Sequence, residues 1–299
     1  YGINPQETAA LAEVSKAEPM TELNRLLDVV DVVDVCTPTH THARFALAAA
    51  AAAKHVICEK PLARHPEDAA AVVDACKRAG VKLLVGQVVR FFPDYVAVKE
   101  LVDEGVIGKP AVLRLGRVTY LPTKGEGNWF HDVEKSGGLV YDLMIHDFDY
   151  ARWVAGEVAD VFCKQSGQQG TQIAQTHALA ILRHESGAMS HIEGSWMYPR
   201  PIFRTRGEIA GSGGLVSWDS DTDAPLRLRK STSTLGSGIP APRSLLAESP
   251  WTTEIKHFAL VLGSGVPSRV DGEDGLVAVR IAEAAVQSIA TGERVEVAR

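Results

Sequence analysis

No apolar run in this sequence is long enough to cross a bilayer. The nearest, Ala46 to Ala53, is short and alanine-rich and reads as helix. Positive charge is scarce as well: 31 basic residues against 37 acidic ones leave a net charge of −6 and no basic stripe, so nucleic acid is not an expected partner. The one cluster, Arg227, Arg229 and Lys230, is too small to reverse this and reads as the solvated face of a strand. Cysteine is sparse. Cys36, Cys58, Cys76 and Cys163 show no CxxC or Cys/His ligand spacing, so neither a zinc site nor a disulfide framework is expected. Cys36 and Cys58 lie in apolar, strand-like runs and are expected to be buried free thiols, with a reducing cytoplasm as the expected home. The start shows no secretory signal. It begins at Tyr1 rather than Met, so the natural N-terminus is expected upstream. Internal repeats and coiled-coil heptads are missing too.

What is present is a 299-residue chain, 45% apolar, whose length favours two domains. Residues 1–88 alternate helix and strand. Helices are expected at Pro5 to Ser15, Met20 to Leu27, His42 to Ala53 and Pro66 to Ala79, the last stopped by Gly80. Strands are expected at Val32 to Cys36, His55 to Cys58 and Lys82 to Gly86. This alternation predicts right-handed crossovers and an α/β domain with a parallel sheet. From Val89 onward the pattern changes. A helix, Pro93 to Glu104, and a strand, Ala111 to Tyr120, lead to a helix over about 138–154. Hairpins follow, His177 to Arg183 with Ala188 to Trp196, and Arg204 to Ala210 with Leu215 to Trp218. Ser231 to Pro242 reads as a surface loop, followed by helices near 253–262 and 274–290 and a final short strand, Arg294 to Val297. Residues 89–299 are therefore expected to form an α+β domain with an open, largely antiparallel sheet.

Ligands of parallel sheets sit beyond the carboxyl ends of the strands. Thr37-Pro38-Thr39-His40-Thr41-His42, Glu59-Lys60-Pro61 and Gln87 each follow a strand there and should converge on one crevice. Thr37 could cap the next helix, and Pro61 stiffens the chain just after Lys60. Lys60 reads equally well as a surface lysine paired with Glu59, and His42 as a packing residue. Further on, Asp142 and His146 are four apart on a helix that starts after Gly137-Gly138, so they share a face, with Asp149 continuing the stripe. Ionisable groups among apolar neighbours are costly unless they pair or line a cleft. The alternative is a surface pair of little consequence. Zinc would need a third ligand that is not evident.

Together, Thr37-Pro38 with His42, Glu59-Lys60-Pro61, and Gly137-Gly138 followed by Asp142 and His146 resemble the Gfo/Idh/MocA family of NAD(P)-dependent sugar oxidoreductases over nearly the whole chain. The resemblance implies a partial Rossmann-type domain over 1–88 and an α+β substrate and oligomerisation domain over 89–299. It implies NAD or NADP as cofactor, and a sugar, cyclitol or related polyol as substrate. Lys60, Asp142 and His146 would be catalytic: Lys60 hydrogen-bonds the reacting hydroxyl, His146 takes its proton, and Asp142 orients substrate and His146. Thr37, Pro38, His42, Glu59, Lys60 and Gln87 would line the cofactor, and Arg90 and Trp129 the substrate side. His177 is expected to be structural. The loop from Leu121 to Lys135 would help set substrate identity. A homodimer or homotetramer paired through the open sheet face is expected.

One departure from the family pattern is evident. No GxGxxG turn joins a strand to a helix, and Gly211-Ser212-Gly213-Gly214 links two hairpin strands instead. About forty-five residues are accordingly expected upstream, with the pyrophosphate cradle among them. Their loss would leave apolar edges exposed. Two other readings reuse the same residues: an NAD-dependent glycosidase on this scaffold, and a non-catalytic dinucleotide- or ligand-binding protein.

Overall fold

Helix α1 (Pro5–Ser15) starts where the Asn4 side chain accepts from the backbone N–H groups of Gln6 and Glu7, an N-cap with proline in the first turn. It belongs to a computed structural model that describes residues 1–2, 4–122, 128–167, 170, 172–222, 226–230 and 248–299. Next come α2 (Leu23–Val29) and β1 (Val32–Val35), then α3 (His42–Ala51), β2 (His55–Glu59), α4 (Pro66–Ala79) and β3 (Leu83–Gly86). Helix α4 shows why the local pattern works. Pro66 opens it, Glu67 and Asp68 sit in its first turn and Lys77 and Arg78 in its last, which suits the helix dipole, and Gly80 ends it at φ 67°. The three strands pair in parallel in the order β1-β2-β3, as the alternation predicted. β1 has no strand on its outer side among the described residues. Leu11, Val14 and Val29 stand exposed on the helices before it.

The second part begins with α5 (Pro93–Asp103) and β4 (Pro110–Thr119). The short α6 (Val133–Ser136) leads to a π-helical turn, Val140–Met144, that runs into α7 (Ile145–Ala155). The expected single helix over 138–154 is thus two geometries joined. Strands β5 (Val158–Ser166), β6 (His177–His184), β7 (Met189–Ser195), β8 (Phe203–Gly211), β9 (Gly214–Asp219) and β10 (Leu226–Lys230) follow, then α8 (Pro250–Ser264), α9 (Gly272–Thr291) and β11 (Val295–Glu296). They form a sheet in the order β10-β9-β8-β4-β7-β6-β5-β11, antiparallel throughout except for the parallel pair β4 and β7. Both expected hairpins are present. Strand β5 was not expected, although its inward Val158, Val161 and Cys163 are buried. Ser231 to Pro242 lies outside the described residues, as do the side chains of Arg227, Arg229 and Lys230.

One face of this sheet is packed and the other is open. Along β6, Ala178, Ala180 and Leu182 point inward at 0% exposure while Leu179 and Ile181 point out. Helices α7 and α9 cover the inner face. Helix α9 also reaches the parallel sheet: it packs on α4 and β3, and a Cβ at Gly275 would lie 2.7 Å from Val85 Cγ2. That close approach requires glycine. Arg90 fixes the junction. Its guanidinium is 2% exposed and bonds Asp149 of α7 at 2.6 and 2.8 Å, Asp274 of α9 at 3.1 Å and the Arg269 carbonyl at 2.8 Å. No described helix is long and apolar enough to cross a membrane.

Cys58, Cys76 and Cys163 are buried free thiols. Cys36 corrects the expectation: it lies one residue past the end of β1, an edge strand, and is exposed.

Candidate active site

The cleft lies where the carboxyl ends of β2 and β3 meet the start of α7. β2 delivers Glu59 and then Lys60, whose peptide bond to Pro61 is cis. The Lys60 ammonium crosses to the other part of the chain. Its Nζ is 2.6 Å from the Asp142 carbonyl oxygen and 3.2 Å from Asp142 Oδ1. Asp142 sits inside the π-helical turn, where hydrogen bonds skip one residue further than in an α-helix. Its carbonyl accepts from the lysine there. Such single-turn bulges are frequent at functional sites. Upstream, Gly137 and Gly138 adopt φ 79° and 62°, and a Cβ at Gly137 would lie 2.3 Å from Tyr141 Cβ, so the chain enters this turn by a path that excludes a side chain there.

His146 follows Asp142 by one turn. Its Nδ1 is buried without a partner, and its pKa is held well below 6.5 by burial, then by the charges of Lys60 and Arg117. It is therefore neutral at neutral pH. Arg117 is itself anchored by Asp147, the next residue along, at 2.9 and 3.0 Å, with the Tyr95 hydroxyl at 3.3 Å. This buried pair fixes α7 against β4.

On the parallel-sheet side, the Thr41 hydroxyl bonds the Pro38 carbonyl at 2.7 Å and Thr37 Oγ1 at 2.9 Å, winding residues 39–41 into a 3-10 turn. His42 is 2% exposed, with Nδ1 2.8 Å from the Pro61 carbonyl and Nε2 2.8 Å from the Thr37 carbonyl. Each ring nitrogen faces a carbonyl oxygen and the neutral ring donates to one of them, so His42 sits between the loop after β1 and the Lys60-Pro61 segment and does not open into the cleft. The Glu59 carboxylate accepts from the Lys60 backbone N–H at 3.2 Å and lies against Gly86; burial raises its pKa. Gln87 is 1% exposed, and neither its amide oxygen nor its nitrogen has a partner. Leaving such atoms bare is costly, so a ligand amide or hydroxyl is their natural complement. A nicotinamide carboxamide fits that description, beside Lys60 at the strand ends.

Trp129 lies in a turn that Asn128 caps by accepting from Phe130 N at 3.0 Å. Its ring meets His40 at 6.0 Å and Phe130 at 5.7 Å. Arg90, placed on the substrate side by sequence reasoning, is instead committed to the ion pairs described above. His177 lies on β6 with Glu193 Oε1 4.0 Å away. The sequence reading missed Glu254 of α8. Its Oε1 is buried and unpartnered, and burial, then Glu59 and Asp34, push its pKa up to about 8. No local pattern marks it, because both neighbours lie far back in the chain.

Comparison with known proteins gives the family and the fold. Residues 1–87 match the family described as "Oxidoreductase family, NAD-binding Rossmann fold", and residues 95–217 match "GFO/IDH/MocA C-terminal domain". A myo-inositol 2-dehydrogenase of Thermotoga maritima is 34% identical over 87% of this chain and 78% of its own length. An inositol 2-dehydrogenase of Rhizobium meliloti is 30% identical over 90% of this chain and 81% of its own. In fold, a levoglucosan dehydrogenase solved with NADH superposes with a TM-score of 0.89 at 24% identity, covering 100% of this chain and 89% of that one.

Proposed function

Because the chain belongs to the GFO/IDH/MocA family of oxidoreductases, we propose that it is an NAD-dependent dehydrogenase whose substrate is a ring polyol, a cyclitol or a sugar, oxidised at one secondary hydroxyl. The observation that carries this reading is the Lys60–Asp142 contact with neutral His146 one turn beyond.

Thr37, Pro38, Glu59, Lys60 and Gln87 would hold the cofactor, with His42 bracing the loop behind them. When bound, the nicotinamide supplies the hydride acceptor. The rest is the work of this chain. The Lys60 ammonium donates to the reacting hydroxyl oxygen and favours its developing negative charge. His146 takes the hydroxyl proton at Nε2; a neutral imidazole is the form that can do so. The Asp142 carboxylate holds Lys60 through one oxygen and offers the other to a neighbouring hydroxyl. Residues 1–88 form the cofactor domain and 89–299 the substrate domain in this reading, with α8 and α9 returning to brace the first.

Self-association through the open sheet face is part of the proposal. A depression of about 510 Å³ there is lined by Arg114, His191, Glu193, Arg206, Glu208 and Trp218, and Leu179, Ile181 and Met189 stand exposed on the same sheet. The buried free thiols suit a reducing cytoplasm.

The test is NAD⁺ reduction, followed at 340 nm, with myo-inositol and D-glucose. Net NADH formation that Lys60→Met and His146→Gln each lower by about 100-fold or more supports the dehydrogenase. Hydrolysis of a glycoside without net NADH would identify glycosidase chemistry, and tight NAD⁺ binding with no turnover of any kind would identify a sensor.

A further inference from the structure

Several buried polar atoms find no partner in the structure. Gln87 and His146 belong to the site already described. Outside it, Arg64 Nη1, Trp218 Nε1, Glu254 Oε1, His131 Nε2 and Trp196 Nε1 are also bare, and the last two lie together. They flank a single residue, Phe130: His131 follows it in the chain, and the Trp196 ring packs on it at 5.9 Å. Both lie on segments that converge on the cleft. Trp196 is one residue beyond β7, whose Gly194 runs against Met144 in the turn that carries Asp142. The turn over 129–131 leads directly into α6, which packs on the 3-10 turn of the loop after β1.

The placement of both side chains is rigid. Trp196 is 0% exposed, and its backbone N–H bonds the Thr176 carbonyl at 2.8 Å. The His131 carbonyl accepts from Ile173 N at 2.9 Å, and Asp132 pairs with Gln172. A buried indole ordinarily finds an acceptor for its N–H, and leaving it bare costs about 1–3 kcal/mol. Two unsatisfied polar groups beside an aromatic wall, on segments that pack against the turn carrying Asp142, suit a ring that carries hydroxyls on one side and C–H groups on the other.

We infer that Trp196 and His131 bind hydroxyls of the polyol ring away from the reacting carbon, and so select which ring polyol is accepted. The inference rests on the function proposed above. The indole can only donate, so it meets a hydroxyl oxygen as acceptor; His131 Nε2 donates or accepts according to tautomer. Neither residue touches the reacting oxygen, so each contributes to binding in ground and transition states alike and is expressed in KM.

The experiment compares Trp196→Phe and His131→Phe with the wild-type full-length protein, using myo-inositol, its mono-deoxy analogues and D-glucose, at saturating NAD⁺. Each variant is expected to raise KM for its best polyol roughly 5- to 100-fold. It should leave kcat within about threefold and KM for NAD⁺ unchanged. One deoxy analogue should lose nothing further on each substitution. Unchanged KM and substrate ranking in both variants of an active enzyme overturns this inference alone. Should Trp196→Phe fail to fold, the partly exposed His131 decides by itself. A wild-type protein that turns over no polyol overturns the inference together with the dehydrogenase reading.

Discussion

Lys60 and Asp142 meet through two different atoms of the aspartate, its backbone carbonyl at 2.6 Å and its carboxylate at 3.2 Å. The carbonyl contact fixes the ammonium in place, and the carboxylate contact leaves the second carboxylate oxygen off the lysine. The pair is only partly buried, at 16% and 30% side-chain exposure, so its worth to stability is small. Lys60→Met is therefore expected to keep the wild-type melting temperature within a few degrees while lowering kcat by about 100-fold or more. A Lys60→Met enzyme of wild-type kcat would remove the lysine from the chemistry.

Burial first, and then the charge of Lys60, lowers the proton affinity of His146. A histidine whose folded pKa lies below its unfolded value stays neutral while the unfolded chain takes up a proton. Its contribution to stability is whole above pH 6.5 and is lost as pH falls from there toward the folded value. His146→Gln should thus lose less stability than wild type on acidification below pH 6.5, as read by denaturant melts at several pH values. Removing the Lys60 charge should raise the His146 pKa, moving the acidic limb of kcat/KM to higher pH in Lys60→Met. A limb that stays put or moves down contradicts the coupling.

Arg90 is expected to matter for folding. Arg90→Met leaves Asp149 buried beside apolar neighbours without its partner, a loss of about 3–5 kcal/mol. Chemical denaturation should show it, and the folded fraction should retain the wild-type KM for polyol. A selective rise in that KM with stability intact would restore Arg90 to the substrate side.

Glu254 carries the opposite pH signature to His146. Its pKa is raised to about 8 in the folded chain, so whatever stability it contributes is present at low pH and is lost as pH rises from 4.5 through 8. Glu254→Gln should melt close to wild type at pH 5 and be the more stable of the two at pH 9. Parallel stability curves for the two proteins would contradict this.

Gly275→Val tests the seam between α9 and β3. The new side chain would press on Val85 and Leu62, and overpacking of this kind costs about 1–3 kcal/mol. The loss should appear as a lower melting temperature, and wild-type stability would show that α9 can step back.

The pattern of strands and helices was legible because each element is coded locally. Pro66 and Gly80 bracket α4, and alternation marks β6 and β7. Glu59-Lys60-Pro61 and Asp142 with His146 were legible for the same reason, since each motif is short and contiguous. What sequence could not supply were partners far away in the chain. Arg90 reads as an open cation until Asp149 and Asp274 are brought to it, and His42 reads as a cofactor contact until the Pro61 and Thr37 carbonyls are brought to face its two nitrogens. The π-helical turn was equally hidden, because its residues suit an α-helix and the distinction lies in which backbone bond forms.

The reach of α9 across both sheets has a consequence for biosynthesis. The parallel sheet leaves the ribosome early, but the helix that closes its flank, with Gly272 against Leu83 and Gly275 against Val85, is made long afterwards. Until then that flank stays uncovered, the kind of surface that chaperones hold and that aggregation exploits. Contacts of such sequence separation also slow folding. The nascent protein should therefore be most protease-sensitive, and most dependent on chaperones, in the interval between synthesis of β3 and release of α9.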